Sequence, residues 1–454
     1  MLLRFVIKNT FSFDEQKEFN MLPNTRLKTL TNHIYNNNIL KLSSIYGANG
    51  AGKSNLIKSI FFLKKFVQKS KIPIELKNSI YKFHLKSDNK QFFVIEFIEN
   101  DIPFLYGIEF TNNIIFTEEL YISNLGKNED SLIFKRKTDK NKRTTIKFSK
   151  EFENDEKSGL LKSILIDDFV KPDELIIKLL SNRENQYLKN VKIAFNWFDK
   201  TLQIITPNSK PIALAHKIEK DITFKTFTED FMKSFGLGIE SLTSKKKDVY
   251  KFFGEDNKNE LNDLINDLEN SPQKIIGFRS RKGDEIIIVK EDDKIWVKKL
   301  LIEHKGKEDI IKKFELDEES DGTIRLLDFA PAFRDIKFNK KVFIIDEIER
   351  SIHPLLIKEL IQKFSKDEDT KGQLIFSTHE SNLLDQSIFR QDEIWFVEKN
   401  KTGATDLYSL SDFKEHKTID IRKGYLSGRY GGIPFLANLI DLNWNNDDTE
   451  KLVI

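Results

Sequence analysis

The sequence predicts an α/β fold: a mixed sheet with an antiparallel β-meander, interrupted by a mainly helical insertion. Three observations carry that expectation. The apolar run Ile39-Leu40-Lys41-Leu42-Ser43-Ser44-Ile45-Tyr46 reads as a strand entering a glycine-rich loop, after which Leu56, Ile57, Ile60, Phe61 and Lys64 recur at helical spacing. Period-two segments at Phe92–Phe97, Leu105–Phe110, Leu120–Ile122 and Leu132–Phe134, separated by Asn, Asp and Gly, read as the meander. Beyond about residue 323, helical patterns alternate with short apolar runs, as in α/β proteins.

The loop itself, Gly47-Ala48-Asn49-Gly50-Ala51-Gly52-Lys53-Ser54, fits G-x-x-x-x-G-K-[ST] at every fixed position. Its glycines let consecutive backbone N–H groups curl around a β-phosphate. Lys53 then reaches the β/γ-oxygens and Ser54 supplies a Mg²⁺ ligand. A helix from about Ser54 to Lys69 would place that phosphate at its N-terminus, with Asn55 in the first turn. Residues 47–55 are therefore the expected nucleotide-binding segment, with ATP and Mg²⁺ as cofactors.

The second half of such a site is legible further on. Lys341-Val342-Phe343-Ile344-Ile345-Asp346-Glu347 is an apolar run ending in two carboxylates. A strand there delivers Asp346 to the Mg²⁺ shell as a Walker B carboxylate, and Glu347 can polarise an attacking water. Lys53 and Asp346 lie 293 residues apart, so a large insertion divides the nucleotide domain. Small GTPases and ordinary AAA+ modules place the two motifs much closer; ABC-type heads of chromosome-maintenance, recombination and OLD-type ATPases accept such insertions.

That ABC-type reading calls for two more motifs. Glu319-Ser320-Asp321-Gly322-Thr323 precedes a helix from Ile324 to Phe333 and suits a signature; taken alone, Ser320 or Asp321 is a helix N-cap. Gln373–Ser377 reads as a strand ending at Thr378-His379, 33 residues beyond Asp346, where an imidazole can hydrogen-bond a γ-phosphate. Lys53, Glu347 and His379 are the expected catalytic residues. Ser54 and Asp346 are the expected metal ligands, and Ser351 and His353 stand in the D-loop place. Pro354 suits the first turn of the next helix. In ABC heads the signature residues Ser320, Asp321, Gly322 and Thr323 would act on the nucleotide of an opposite subunit.

Composition bounds the remainder. The 454 residues are 39% hydrophobic and carry a formal net charge of +3, which neither demands nor excludes nucleic acid. Cysteine is absent, which removes disulfides, thiolate metal sites and thiol catalysis. Met1–Lys8 is too short and too charged for a secretory signal, and no apolar run reaches the ~18 residues of a membrane span. The expectation is a cytoplasmic protein with no membrane partner. Four segments follow: 1–150, a first ATPase lobe; 151–272, the mainly helical insertion, closed by Pro272; 273–436, a second lobe with strands near 275–278, 285–289, 295–297 and 300–302 and the later motifs; and 437–454, a tail.

Five segments go beyond generic motifs. Glu319–Thr323, Asp346-Glu347-Ile348-Glu349-Arg350-Ser351-Ile352-His353-Pro354, Ser377-Thr378-His379 with Asn382-Leu383-Leu384-Asp385, Gln391–Lys399 and Gly428-Arg429-Tyr430-Gly431-Gly432-Ile433-Pro434 resemble the RloA/AbiLi-like family. Its members are labelled AAA-family ATPases, although their heads are ABC-type and OLD-like; Glu349 stands where the family usually has Asp. The resemblance implies a role in bacterial antiphage defence or abortive infection beside a separately encoded effector, nuclease-like or RloB-type. It also implies a homodimer or higher homo-oligomer closed as an ATP sandwich. The Toprim domain of OLD nucleases has no counterpart here, and Asp367-Glu368-Asp369 reads as solvated surface.

Two other classes stay open: a DNA repair or recombination ATPase, and an ATP-dependent scaffold with little turnover. Basic clusters at Lys135–Lys137 through Arg143, Lys245–Lys247 and Arg279–Lys282 read as a solvated face or as a nucleic-acid surface. Phe11 and Phe13 read equally as core or as neighbours of an adenine. His33, His84, His216, His304 and His416 share no metal-ligand spacing.

Overall fold

The computed structural model of the chain describes residues 1–35, 38–73, 90–211, 213–254, 258–271, 274–279, 285–413, 415–416 and 419–433. His84, Pro272, Ser280–Lys282 and Pro434 with the tail to residue 454 lie outside the described residues.

A six-stranded sheet positions the site. Its order is Leu202–Ile205, Val342–Ile345, Gln373–Ser377, Leu42–Tyr46, Ile394–Lys399 and Thr405–Ser409. The first five run parallel, and only the last pair is antiparallel. Such strands are covered on both faces, which explains their near-continuous apolar sequences. Val342, Ile344, Ile375 and Ile45 face one core, whereas Phe343, Ile345, Leu374, Phe376 and Tyr46 face the other. The registers Ile345↔Phe376 and Ser377↔Ile45 bring the carboxyl ends of these strands to one edge.

The expected meander is present within a seven-stranded antiparallel sheet. Its order is Thr144–Phe148, Ser131–Thr138, Ile115–Ile122, Ile102–Phe110, Gln91–Glu99, Leu2–Lys8 and Lys17–Asn20. This sheet braces the helix Lys53–Lys69: Phe62 lies 5.9 Å from Phe93, and Phe66 lies 5.2 Å from Phe110. Aromatic pairs at such centroid distances add about 0.5–1.5 kcal/mol each beyond burial. Phe11 and Phe13 are buried in the same core, so core packing, not an adenine, accounts for them.

Residues 151–272 carry the helices Glu156–Ile164, Lys189–Asn196, Ile222–Lys233 and Lys258–Asn270, together with two strands that the helical reading did not include. Leu202–Ile205 is the edge of the central sheet, and Ile239–Asp248 pairs antiparallel with Lys294–Lys305 across the expected boundary at 272. Leu-Gln-Ile-Ile is too short a run to announce itself; its partner across the sheet makes it a strand. The strand signals at 295–297 and 300–302 are one strand, Lys294–Lys305, flanked by Glu285–Glu291 and Ile311–Glu315.

Two residues of the basic cluster at 135–143 are engaged within the fold, while Lys137, Lys140, Lys142 and Arg143 are exposed. Arg136 is fully buried, 3.7 Å from the equally buried Glu118, and its Nη2 donates to the Lys171 carbonyl at 2.7 Å. Glu118 in turn accepts from the backbone N–H groups of Ile176 and Ile177 and from the Tyr106 hydroxyl. Lys135 is paired with Glu119 at 2.5 Å. Removing one partner of a buried ion pair leaves the other uncompensated, at a cost of about 3–5 kcal/mol. Arg136→Ala is therefore expected to lower the denaturant midpoint by an amount equivalent to about 3 kcal/mol or more; a change under about 1 kcal/mol would show that Glu118 is satisfied without it.

Candidate nucleotide site

The loop folds as its glycines require. Gly50 and Gly52 have φ of 76° and 124°, and Lys53 opens a 17-residue helix capped by Gly52. A Cβ on Gly52 would collide with the Thr405 side chain, whose hydroxyl donates to the Ala51 carbonyl at 2.8 Å. At Gly50 nothing lies within 4 Å of a Cβ, so the loop opens to solvent there. Asn55 Nδ2 donates to Ser12 Oγ at 2.8 Å, tying the first helical turn to the Asn9–Phe13 segment.

Asp346 is the meeting point. It is buried, and its Oδ1 accepts from Ser54 Oγ at 3.2 Å and from Ser377 Oγ at 2.6 Å. Ser377 Oγ also accepts from the backbone N–H of Glu347 at 2.9 Å. Residues far apart in sequence are thus joined by one serine that sequence reasoning quoted without a role. Among the described residues no cluster of three or more His, Asp or Glu side chains is arranged to hold a metal ion. A single carboxylate beside a hydroxyl suits Mg²⁺, which binds through one or two protein oxygens and completes its shell with water and phosphate. The residues present fit that ion.

Lys53 is 5% exposed; its Nζ donates to the carbonyls of Gly47 at 2.6 Å and Ala48 at 3.1 Å and to His379 Nδ1 at 3.2 Å. Burial pushes its pKa down to about 8, opposed by the nearby carboxylates of Glu349, Asp346 and Glu347. Burial, and then Lys53, lower the His379 pKa, which favours a neutral imidazole. Because the ammonium only donates, Nδ1 accepts and the ring proton sits on Nε2, which is left to donate elsewhere.

Glu347 lies half-exposed, 4.0 Å from Arg350, with φ of 52°. A non-glycine residue in that region costs about 1–3 kcal/mol and persists where neighbours over-determine it. Here the Ser377 contacts to Glu347 N–H and Ile348 N–H do so. Glu349, noted in the sequence only as standing where the resembled family usually has Asp, is closely engaged: its Oε1 accepts from the His379 backbone N–H at 2.6 Å. Burial raises its pKa, and its Oε2 has no hydrogen-bond partner among the described residues. Its spacing, two residues beyond Glu347, was the only sequence signal.

The residues expected as signature and D-loop form a second cluster. Ser320 caps the helix Asp321–Phe338 by accepting from Thr323 N–H at 3.1 Å, so the N-cap reading holds for it whatever else it does. A Cβ on Gly322 would lie 2.7 Å from the Ser351 carbonyl, which brings the two motifs into contact. His353 caps the helix Pro354–Lys366, with Pro354 in the first turn. Ser320, Asp321, Gly322, Thr323, Ser351 and His353 line one shallow cleft, and none of residues 47–55, Asp346 or His379 lines it.

A family model described as "AAA domain, putative AbiEii toxin, Type IV TA system" matches residues 42–385, from the strand entering the loop to beyond His379. The chain belongs to this AAA-domain family. No curated protein matches it. Among solved structures it is similar to an SMC head domain from Thermotoga maritima, at 12% identity and a TM-score of 0.39 over 90% of this chain and 98% of that one. Similar values hold for an SmcHead bound to the C-winged helix domain of ScpA (12%, 0.39, 91% and 99%). They hold also for an Smc head domain with an extended coiled coil bound to the C-terminal domain of ScpA derived from Pyrococcus furiosus (12%, 0.39, 94% and 98%). Membership in the AAA-domain family makes this an ATPase domain of the AAA type. No helix among the described residues is long and apolar enough to cross a membrane.

Two predictions follow from this geometry. Ser377→Ala should raise the Mg²⁺ concentration needed for half-maximal nucleotide binding about 10–100-fold, the usual effect of losing a group that orients a metal ligand; an unchanged Mg²⁺ titration would remove Asp346 from the metal shell. Lys53 must be charged to hold phosphate, and its lowered pKa means that charge is lost as pH rises through about 8. Affinity for a fluorescent ATP analogue should fall by up to about tenfold per pH unit above that value, and Lys53→Ala, weaker throughout, should abolish the dependence.

Proposed function

We propose that the chain is an ATP-hydrolysing switch of a bacterial antiphage defence system, within the RloA/AbiLi-like branch of its family, controlling a separately encoded effector. The observation that carries this reading is the convergence of Lys53, Ser54, Asp346 and His379 at one sheet edge while Ser320–Thr323 line a cleft of their own. A site so divided is complete when Ser320, Asp321, Gly322 and Thr323 of a second copy cover the loop of the first, which makes association depend on ATP. The family description, which names a toxin of a type IV toxin–antitoxin system, supports the defence setting.

Each residue then has a task. The N–H groups of residues 47–55 cradle the phosphates, and Lys53 leaves the Gly47 carbonyl for the β/γ-oxygens. Ser54 and Asp346 would hold Mg²⁺, which when bound neutralises charge on the phosphates. Glu347 orients and deprotonates the attacking water, releasing ADP and phosphate. His379 offers Nε2–H to the γ-phosphate, with Glu349 holding its backbone in place. Ser351 and His353 carry the state of one site toward the signature cleft. The partners proposed are a second copy of the chain and an effector protein.

Glu347→Gln should bind ATP with near-normal affinity, turn it over at least about 100-fold more slowly, and accumulate as an ATP-bound oligomer in sedimentation; near-normal turnover would assign the base elsewhere. In cells carrying the native operon, Lys53→Ala should abolish protection in a phage plating assay. Equal plating of intact and mutant strains across a varied panel would overturn the defence reading and turn attention to DNA maintenance.

A further inference from the structure

The motif Gly428–Ile433 contributes nothing to the chemistry above, yet it touches the phosphate loop. A Cβ on Gly432 would lie 3.6 Å from Gly47 Cα, and one on Gly47 would strike the carbonyl and Cγ2 of Val397. The first residue of the loop is thus held between the Ile394–Lys399 strand and a distant glycine turn. Gly431 and Gly432 both have φ near +65° (66° and 65°), and a Cβ on Gly431 would run into Glu398 Oε2 and the Tyr408 hydroxyl. A φ of 66° is a backbone conformation that favours glycine at that position.

The turn is clamped by three side chains from three elements. Glu398 Oε2 accepts from Gly432 N–H at 3.2 Å, the Tyr425 hydroxyl donates to the Gly432 carbonyl at 3.1 Å, and the Tyr408 hydroxyl donates to the Tyr430 carbonyl at 2.8 Å. Beneath them Phe396 stacks on Tyr425 and Tyr430 at 5.7 and 5.8 Å, and Tyr46, which immediately precedes Gly47, lies 5.8 Å from Tyr425. Both backbone polar groups of Gly432 are therefore fixed where the residue packs against Gly47, whose own carbonyl accepts from Lys53 Nζ at 2.6 Å.

We propose that Glu398 is a positioning residue for the ATPase reaction, acting through the Gly431–Gly432 turn to hold Gly47 and hence the phosphate cradle in its binding geometry. The inference rests on residues 47–55 being the ATP site. A glycine-rich loop pays conformational entropy when it closes on phosphate, about 1–2 kcal/mol per residue ordered. A wall on one side of its first peptide removes part of that cost before the ligand arrives. Glu398 touches neither phosphate nor water in this scheme; it sets the loop through the Gly432 N–H.

The test is nucleotide affinity, with kcat and KM, in Glu398→Ala, Glu398→Gln and Tyr425→Phe, each checked for folding by its thermal midpoint. Glu398→Ala is expected to weaken binding of a fluorescent ATP analogue about tenfold and to raise KM more than it lowers kcat. Glu398→Gln, whose amide oxygen still accepts from Gly432 N–H, is expected to restore most of the affinity. Tyr425→Phe keeps the aromatic stack, removes one clamp and should weaken binding a few-fold, which keeps the proposal testable if Glu398→Ala misfolds. Wild-type affinity in both Glu398→Ala and Tyr425→Phe would overturn it, as would Glu398→Gln being as defective as Glu398→Ala. If the intact chain binds no ATP, the site assignment itself fails, a different result from an intact chain that binds and variants that match it.

Discussion

The molecule depends on the parallel register of the central sheet. Because Val342–Ile345, Gln373–Ser377 and Leu42–Tyr46 hydrogen-bond in step, their carboxyl ends share one edge, and Asp346, Ser377 and Gly47 are brought to it although Gly47 and Ser377 lie 330 residues apart in the chain. Asp346 Oδ1 then collects hydroxyls from Ser54 and Ser377. A slip of one residue in any of these strands would turn its side chains to the opposite face and move the carboxylate away from the loop. Apolar packing on both sheet faces enforces the register, so the core, rather than the loop, fixes Asp346 beside Ser54 and Ser377.

Electrostatics at that edge are held in tension. Lys53 is the cation among Asp346, Glu347 and Glu349, yet burial outweighs their attraction and lowers its pKa. The same burial raises the pKa of Glu349 and lowers that of His379. In the proposed site a triphosphate would bring negative charge to these groups, favour the charged Lys53 and draw it from the carbonyls of Gly47 and Ala48. Lys53 and His379 are in hydrogen-bond contact, so movement of the lysine would free the Nδ1 of the histidine, the route the proposal gives from ligand to switch.

Much of this was legible in the sequence, for identifiable reasons. The loop and the Walker B carboxylates announce themselves because their chemistry admits few residue types. The meander shows because its strands are exposed enough on one face to alternate. Leu202–Ile205 was hidden because four residues carry no period, and the strand exists only through pairing with Val342–Ile345. Arg136 sat in a run of basic residues and looked solvated; only the fold shows that it meets Glu118 in the interior. Ser377 and Glu349 were visible as residues, but hydrogen bonds across the sheet give them work. Gly431 and Gly432 are legible as turn formers. Their contact with a loop nearly 400 residues earlier is a tertiary fact that no local pattern encodes.

The most direct measurement is a structure of the chain with Mg²⁺ and a slowly hydrolysed ATP analogue. The account predicts the β-phosphate within the 47–54 loop, Lys53 Nζ moved from the Gly47 carbonyl to phosphate oxygen, and the metal on Ser54 and Asp346. It also predicts Ser320 and Gly322 of a second copy against the γ-phosphate. A nucleotide bound elsewhere, or Lys53 still on the Gly47 carbonyl with the metal away from Asp346, would contradict it.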